Sequence, residues 1–375
     1  MAASSDDAGE LGHGLTAQVT CDIVERVSRT ARGVILSVAV GAGLYVALAA
    51  GYGEGSQVLS QLRQFSPLLL LLGLVLASVN YLFRFVRWQY YLRLLDVPTW
   101  PQPQGHAASG TRFLSLYDSL LIFLAGFALT VTPGKVGEVL KSYLLRESHQ
   151  QPIAKTAPIV LAERLTDLIG LLLLMLIGVA TWMRPAHHYL LAIGLLLCLL
   201  LLLLASWRSL VYAVLALVEK LPRLGPTLVP KLREFYDAAY VLVRPLPLLA
   251  ATLTSICSWF AECLAFYLMI RGFSDGGQAS VSLATFIYAV MTVAGALAFV
   301  PGGLGVTEGG MALLLSELGA MSKSSSVAVT LIIRAQTLWF AVLLGVLALL
   351  VFSRRQQVAL SLDQVQKQTT PPVAS

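Results

Sequence analysis

The sequence predicts an all-α protein, a polytopic membrane helix bundle. Hydrophobic residues make up 57% of the 375 residues and charged residues only 12%, about half the charged fraction of an ordinary soluble domain. Several apolar runs approach or exceed the ~20 residues that a helix needs to cross a bilayer. Helices are expected because backbone amides and carbonyls inside a bilayer must be paired within the chain.

Eight apolar segments divide the middle of the chain. They occupy approximately residues 33–52, 66–86, 114–132, 157–182, 188–206, 248–270, 283–300 and 328–352. We therefore expect three regions: a polar cytoplasmic N-terminal segment over 1–32, a transmembrane domain over 33–355, and a disordered cytoplasmic tail over 356–375.

The distribution of Lys and Arg argues against eight simple crossings. If every segment crossed, the basic clusters at 135–155 and 208–244 would lie outside the cell, against the positive-inside rule. Both clusters and both termini become cytoplasmic if 114–147 and 283–319 each enter and leave the membrane on one face. We therefore expect six full spans plus two re-entrant helical hairpins in the cell membrane.

The two expected hairpins share a helix-breaking motif. Proline removes a backbone donor and glycine permits a tight turn, and such a break at membrane depth must be buried or line a wet cavity. Matched breaks in inverted halves are typical of a transporter's binding site, although Pro-Gly pairs also mark ordinary loop turns. The motif residues are Pro133, Gly134 and Gly137, followed by Glu138, and Pro301, Gly302, Gly303 and Gly305, followed by Glu308.

Three charged residues begin one apolar segment. On a helix, Glu163 and Asp167 are four residues apart and Arg164 is three from Asp167, so all three share one side. Each charge would cost ~2.5–3.5 kcal/mol at mid-membrane. We expect them to face a cavity or to pair; an interfacial cluster that only anchors the helix is the alternative.

Two further charges, Glu262 and Arg334, lie deep in apolar runs. Intramembrane charges usually find a partner, so a Glu262–Arg334 pair is one interpretation and a place in a polar cavity is the other. The dispersed histidines and cysteines predict no metal site. Because no P-loop is present either, we expect no cofactor and no ATP hydrolysis.

Three stretches, TPGKVGEVLKSYLL, ERLTDLIGL and FVPGGLGVTEGG, together resemble the flippase-like membrane domain of lysylphosphatidylglycerol synthases, over about residues 30–355. In the two-part synthases, the resemblance implies that this region moves an aminoacylated phospholipid between leaflets. Relatives are linked to hopanoid transport and to polyprenyl-linked sugars. The two-part proteins also carry a soluble domain that makes the aminoacyl lipid. We expect no such domain in this chain, and therefore no lipid aminoacylation by this chain alone.

The favoured hypothesis is therefore a non-enzymatic membrane protein that translocates a phospholipid, aminoacyl-phospholipid or isoprenoid-type lipid between leaflets. Expected partners are membrane lipids and a separate lipid-modifying enzyme, with no nucleic acid. A small-anion transporter and a non-catalytic membrane subunit of a lipid- or glycan-modifying complex are the alternatives.

Two sets of residues are candidates for headgroup binding. The helix N-termini after Gly134 and Gly302 offer free amides to a phosphate. Full positive charge is expected from Lys135, Lys141, Arg164 and Arg334. The carboxylates expected to receive a cationic headgroup or to carry protons are Glu138, Glu163, Asp167, Glu262 and Glu308.

Overall fold

The computed structural model describes residues 55–99, 113–132, 137–182, 207–219 and 225–369, with isolated positions between 192 and 203. Helices account for nearly all of these residues and no β-strand occurs among them. The predicted N-terminal segment, the first apolar segment at 33–52 and most of the segment at 188–206 lie outside the described residues. The prediction of an all-α helix bundle is confirmed.

The first long helix reaches further than its apolar run. A short helix, α1 (Gly55–Gln64), precedes α2 (Pro67–Leu94), and proline suits the first turn of α2 because no amide is needed there. The predicted segment ends at residue 86, but no helix breaker follows until Pro98. The 28 residues of α2 span about 42 Å, and both Arg84 and Arg87 lie within the helix and are buried.

The first hairpin is visible on both sides of its turn. Helix α3 (Leu116–Ala125) tightens into a 3-10 segment (Gly126–Leu129), and α4 (Leu140–His149) packs back against both. With its extension, α3 has 14 residues, fewer than the ~20 that cross a bilayer. The turn residues Pro133, Gly134 and Lys135 lie outside the described residues.

Five helices form the middle of the chain. A single turn, α5 (Ile153–Thr156), leads into the long helix α6 (Pro158–Trp182). Helices α7 (Arg208–Glu219) and α8 (Gly225–Leu242) pack together and precede α9 (Pro245–Arg271). Helix α9 packs against both α2 and α6, so that these three helices surround the interior in which the charged residues meet.

The second hairpin is fully described. Helix α10 (Val281–Leu297) packs against α11 (Val306–Leu318), and the 3-10 turn Pro301–Gly303 lies between them. Gly302, Gly303 and Gly305 have φ of 61°, 68° and 85°, a backbone region that residues with a Cβ rarely occupy. The predicted helix break and its need for glycine are therefore confirmed here.

The last two helices are continuous through a π-turn. Helix α12 (Lys323–Arg334) passes through Ala335–Trp339 into α13 (Phe340–Thr369). The expected disordered tail begins at 356, but α13 continues to Thr369 because this stretch contains helix-forming residues and has no proline or glycine before Pro371. The π-turn matters for the site because such bulges often reposition functional side chains.

Three described helices are long and apolar enough to cross a membrane: Pro67–Leu94, Pro245–Arg271 and Lys323–Gln356. Leu116–Leu129 and Val281–Leu297 are apolar but shorter, as hairpin helices should be. The class, a polytopic membrane bundle, is thus confirmed. Six spans with cytoplasmic termini remain a prediction, which labelling can test.

In a variant without native cysteines, we expect Glu147→Cys and Pro226→Cys to resist a membrane-impermeant maleimide in intact cells. Both positions are exposed in the fold, whereas nearby Gln151 is buried and unsuitable. Gln57→Cys, in the expected outer segment, is the matched positive control and should be labelled. Labelling of Glu147→Cys and Pro226→Cys from outside would restore the arrangement of eight crossings.

Candidate functional site: a charged cavity between the helices

Seven charged residues meet inside the bundle. Their side chains are buried, except that Arg164 keeps 23% of its side chain exposed. They come from α2, α4 with the turn before it, and α6. The members of this interior cluster are Arg84, Arg87, Glu138, Lys141, Glu163, Arg164 and Asp167.

Asp167 contacts arginines from two different helices. Arg87 Nη1 lies 2.8 Å from Asp167 Oδ1, and Arg164 Nη2 lies 3.2 Å from Oδ2. Ser255 on α9 donates a hydrogen bond of 2.9 Å to Oδ1. The expected Arg164–Asp167 contact within α6 is present, but the shorter ion pair joins Asp167 to α2.

Lys141 is held away from the cavity. Its Nζ donates a hydrogen bond of 2.6 Å to Glu163 Oε2 and lies 4.8 Å from the centre of the Trp88 ring and 5.6 Å from that of Phe123. A cation enclosed by a carboxylate and two aromatic faces is already satisfied. This geometry favours a role in packing for Lys141 and Glu163 over the expected contact with a headgroup.

Glu138 connects the first hairpin to the other helices. It accepts a hydrogen bond of 3.1 Å from Arg164 Nη2, and Arg84 Nη2 lies 3.6 Å from its other oxygen. Gly137 precedes it, where an added Cβ would overlap the side chain of Leu129. Glycine is therefore needed here for close packing, which lets the backbone bring Glu138 into the cluster.

Arg334 and Glu308 form a second buried ion pair. Arg334 Nε lies 2.5 Å from Glu308 Oε1, and its Nη2 donates to the carbonyl oxygen of Gly302 at 2.6 Å. Glu308 Oε2 also accepts from the Gly305 amide at 2.7 Å, as the N3 residue of a capping box does. The expected phosphate seat after Gly302 is thus occupied by the protein's own carboxylate.

Glu262 and Arg334 do not form the ion pair that was one interpretation of the sequence. Glu262 Oε2 accepts a hydrogen bond of 2.5 Å from the Tyr288 hydroxyl on α10, whereas Arg334 is paired with Glu308. Glu262 therefore joins α9 to α10, and Arg334 joins α12 to α11. A linear sequence contains no signal for this choice of partners.

A cavity of about 320 Å³ lies between the two groups of charges. Its polar wall includes Tyr81, several threonines and the following charged residues: Arg84, Arg164, Asp167, Glu262 and Arg334. Its apolar wall includes Leu297 and Phe299, whose side chains are 67% and 71% exposed on the bundle surface. The cavity therefore joins a charged interior to an apolar outer surface.

The predicted site residues fall into two groups, those that line the cavity and those that do not. Arg164, Asp167, Glu262 and Arg334 line it. The predicted headgroup residues that instead make ion pairs without lining it are Glu138, Lys141, Glu163 and Glu308. Lys135 lies outside the described residues.

Sequence reasoning missed Arg84, Arg87, Tyr81 and Tyr288. In the sequence the two arginines count only as positive charges at the cytoplasmic end of the second apolar segment, 66–86, but they are buried and lie three apart on one helix. Their spacing in the apolar run LFRFVRW is the signal that could have identified them, since residues three apart share a helix face. No comparable signal marks the two tyrosines.

Apolar helices around buried, ion-paired charges and a cavity define a multi-pass membrane protein with a polar interior. A family model described as the lysylphosphatidylglycerol synthase TM region matches residues 34–345. The chain therefore belongs to this family, and it is a membrane protein related to lipid modification or translocation. The resemblance inferred from the three motifs is confirmed. No curated protein matches the chain.

Proposed function

We propose that this protein translocates a lipid between the two leaflets of the cell membrane. The cargo is a phospholipid, an aminoacyl-phospholipid or an isoprenoid-type lipid. The observation that carries the proposal is the charged cavity with an apolar, exposed border at Leu297 and Phe299. A headgroup inside the cavity could keep its acyl or prenyl chains in the surrounding bilayer.

The energetic reason is the cost of moving charge through hydrocarbon. A charged side chain at mid-membrane costs ~2.5–3.5 kcal/mol even on translocon scales and more in simulations, and a phosphate headgroup meets the same barrier. The arginines that line the cavity make its interior positive, and hydroxyls and guanidinium donors not already paired would replace water around a phosphate. The cavity thus offers a charged group a lower barrier than the lipid around it.

We propose transport without chemical change of the lipid. Covalent catalysis usually needs an activated nucleophile next to a base. The acidic side chains that line the cavity are already engaged, Asp167 with two arginines and Glu262 with the Tyr288 hydroxyl. A separate lipid-modifying enzyme would then supply the lipid or act on it after transport.

Fluorescent-lipid translocation in proteoliposomes tests the proposal. We expect the purified protein to expose inner-leaflet headgroup-labelled phosphatidylglycerol to an impermeant quencher faster than protein-free liposomes do. Thr292→Trp, which fills the cavity, should slow this at least about tenfold, a loss of ~1.4 kcal/mol in the rate-limiting state. Leu217→Trp, at an exposed position on α7, is the matched control and should behave like the wild type.

The same liposomes distinguish the alternatives. Uptake of radiolabelled inorganic phosphate without movement of lipid would favour a small-anion transporter. Movement of neither would leave the role of a non-catalytic subunit, and the proposal would be wrong.

A further inference from the structure

Arg84 differs from every other buried arginine of the described interior. It is 6% exposed and lines the cavity, yet its guanidinium makes no hydrogen bond to a described residue. The nearest carboxylate oxygen, Oε1 of Glu138, is 3.6 Å away, beyond hydrogen-bonding distance. Its buried Nε has no acceptor among the described residues, a feature that it shares with Arg87 and Arg164.

The other buried arginines each lie closer to a carboxylate and donate a hydrogen bond, Arg87 to the Thr166 hydroxyl and Arg164 and Arg334 to carboxylates. Arg87 lies 2.8 Å from Asp167, Arg164 lies 3.1 Å from Glu138, and Arg334 lies 2.5 Å from Glu308. Because a guanidinium carries five donors, and a buried charge without hydrogen bonds is strongly unfavourable, the environment of Arg84 is incomplete. An anion in the cavity would complete it.

The charge balance of the interior cluster points the same way. Its described members are four cations and three carboxylates. Glu138, the carboxylate nearest Arg84, already accepts a shorter contact from Arg164. The cluster therefore carries one more positive than negative charge. Arg84 is the cation whose nearest contact to a carboxylate is the longest.

The position of Arg84 is held by packing. Its guanidinium carbon lies 4.9 Å from the centre of the Phe127 ring, and a cation over an aromatic face is stabilised without using its N–H donors. The donors therefore stay available at the wall of the cavity. Tyr81, one turn earlier on α2, donates its hydroxyl proton to the Thr337 carbonyl and also lines the cavity.

We propose that Arg84 binds the phosphate of the transported molecule. This inference rests on the proposed function and names the residue that holds the anionic part of the headgroup. A planar guanidinium matches two oxygens of a phosphodiester and can bind both. The site differs from the one expected from the sequence, because Arg164 is committed to two carboxylates and the amide of Gly305 to Glu308.

Binding measurements on the purified, full-length protein test the assignment. The probes are dioctanoyl phosphatidylglycerol and inorganic phosphate, titrated in phosphate-free maltoside detergent. We expect Arg84→Gln to weaken binding of the lipid at least about tenfold, because hydrogen bonds between charged groups are stronger than those between neutral groups. Arg84→Lys, which keeps the charge without the planar fork, should fall between.

Arg208→Gln is the matched control because Arg208 is an exposed, ion-paired arginine on α7, away from the cavity lining. It should bind the lipid as the wild type does. Wild-type affinity in Arg84→Gln would overturn the proposal. So would failure of both Arg84 variants to fold, judged by gel filtration and thermal melting, because Arg84 would then be structural.

The two probes separate the sources of the phosphate. Much tighter binding of the lipid than of inorganic phosphate, with both lowered in Arg84→Gln, supports a lipid phosphate. Equal, Arg84-dependent affinities keep the phosphate site and assign it to a soluble anion. If the wild type moves lipid and Arg84→Gln moves it equally fast, only this inference fails; if the wild type moves no lipid, the proposed function fails.

Discussion

Asp167→Ala is expected to destabilise this protein by about 3–5 kcal/mol, because removing one partner of a buried ion pair leaves the other charge uncompensated. The partner most affected is Arg87, which is 1% exposed and has its only described carboxylate contact within 4 Å at Asp167. Arg164 and Ser255 would lose a contact as well. Equilibrium unfolding in mixed detergent micelles measures the change.

Asp237→Ala provides the control for that experiment. Asp237 also accepts from an arginine and a tyrosine, but the pair is about half exposed, so water can replace what is lost. A much smaller loss of stability is expected. Equal losses in the two variants would contradict the importance assigned to the interior cluster.

A double variant tests whether Arg164 and Asp167 form an isolated pair within α6. If Arg164 and Asp167 formed an isolated pair within α6, changing both to leucine would restore stability. Because Arg87 also depends on Asp167, we expect Arg164→Leu combined with Asp167→Leu to stay destabilised. Recovery of the wild-type melting temperature would show that Arg87 tolerates the loss.

Gly303→Ala is expected to have the second largest effect, about 2–5 kcal/mol. Its φ of 68° costs a residue with a Cβ roughly 1–2 kcal/mol. The new methyl group would also lie 2.7 Å from Thr307 Oγ1 and 3.2 Å from the Cα of Gly295, and overpacking of this kind costs about 1–3 kcal/mol. We expect a lower melting temperature and a slower rate of lipid translocation.

Gly309→Ala is the matched control in the same hairpin. It lies within α11, and an added Cβ would meet nothing within 4 Å. Alanine is favoured over glycine in a helix by up to about 1 kcal/mol, so an unchanged or slightly higher stability is expected. A comparable loss in Gly309→Ala would mean that the whole segment, and not the turn, is sensitive.

The glycines of the second motif separate what was predictable from what was not. Proline and glycine act on the backbone locally, so the motif alone predicted the helix break at Pro301 and a tight turn. The structure adds that Gly302, Gly303 and Gly305 have positive φ. The reason for each glycine is tertiary. At Gly305 there is open space within 4 Å, whereas the added Cβ of Gly303 would be crowded by Gly295 from α10.

Glu308 illustrates a local signal that was missed. Glu308 stands three residues after Gly305, the position of the glutamate in a capping box, although glycine has no side chain for the other half of that motif. The contact of Glu308 with the Gly305 amide is therefore local in the sequence. Its second partner could not be predicted from the sequence, because Arg334 comes from another helix 26 residues further along the chain. That contact exists only once α11 and α12 pack together.

Sequence alone determined the class of this protein, its broken helices and the set of charges that its interior had to accommodate. These depend on hydrophobicity and backbone chemistry, which act over one or two helical turns. Tertiary structure decided which charges pair and which face the cavity. Arg87 reaches Asp167 only because α2 packs beside α6, 80 residues away in sequence (residues 87 and 167), and Arg84, three residues earlier, faces the cavity instead. Helix packing selects those partners, since electrostatic attraction alone allows any basic residue to pair with any acidic one.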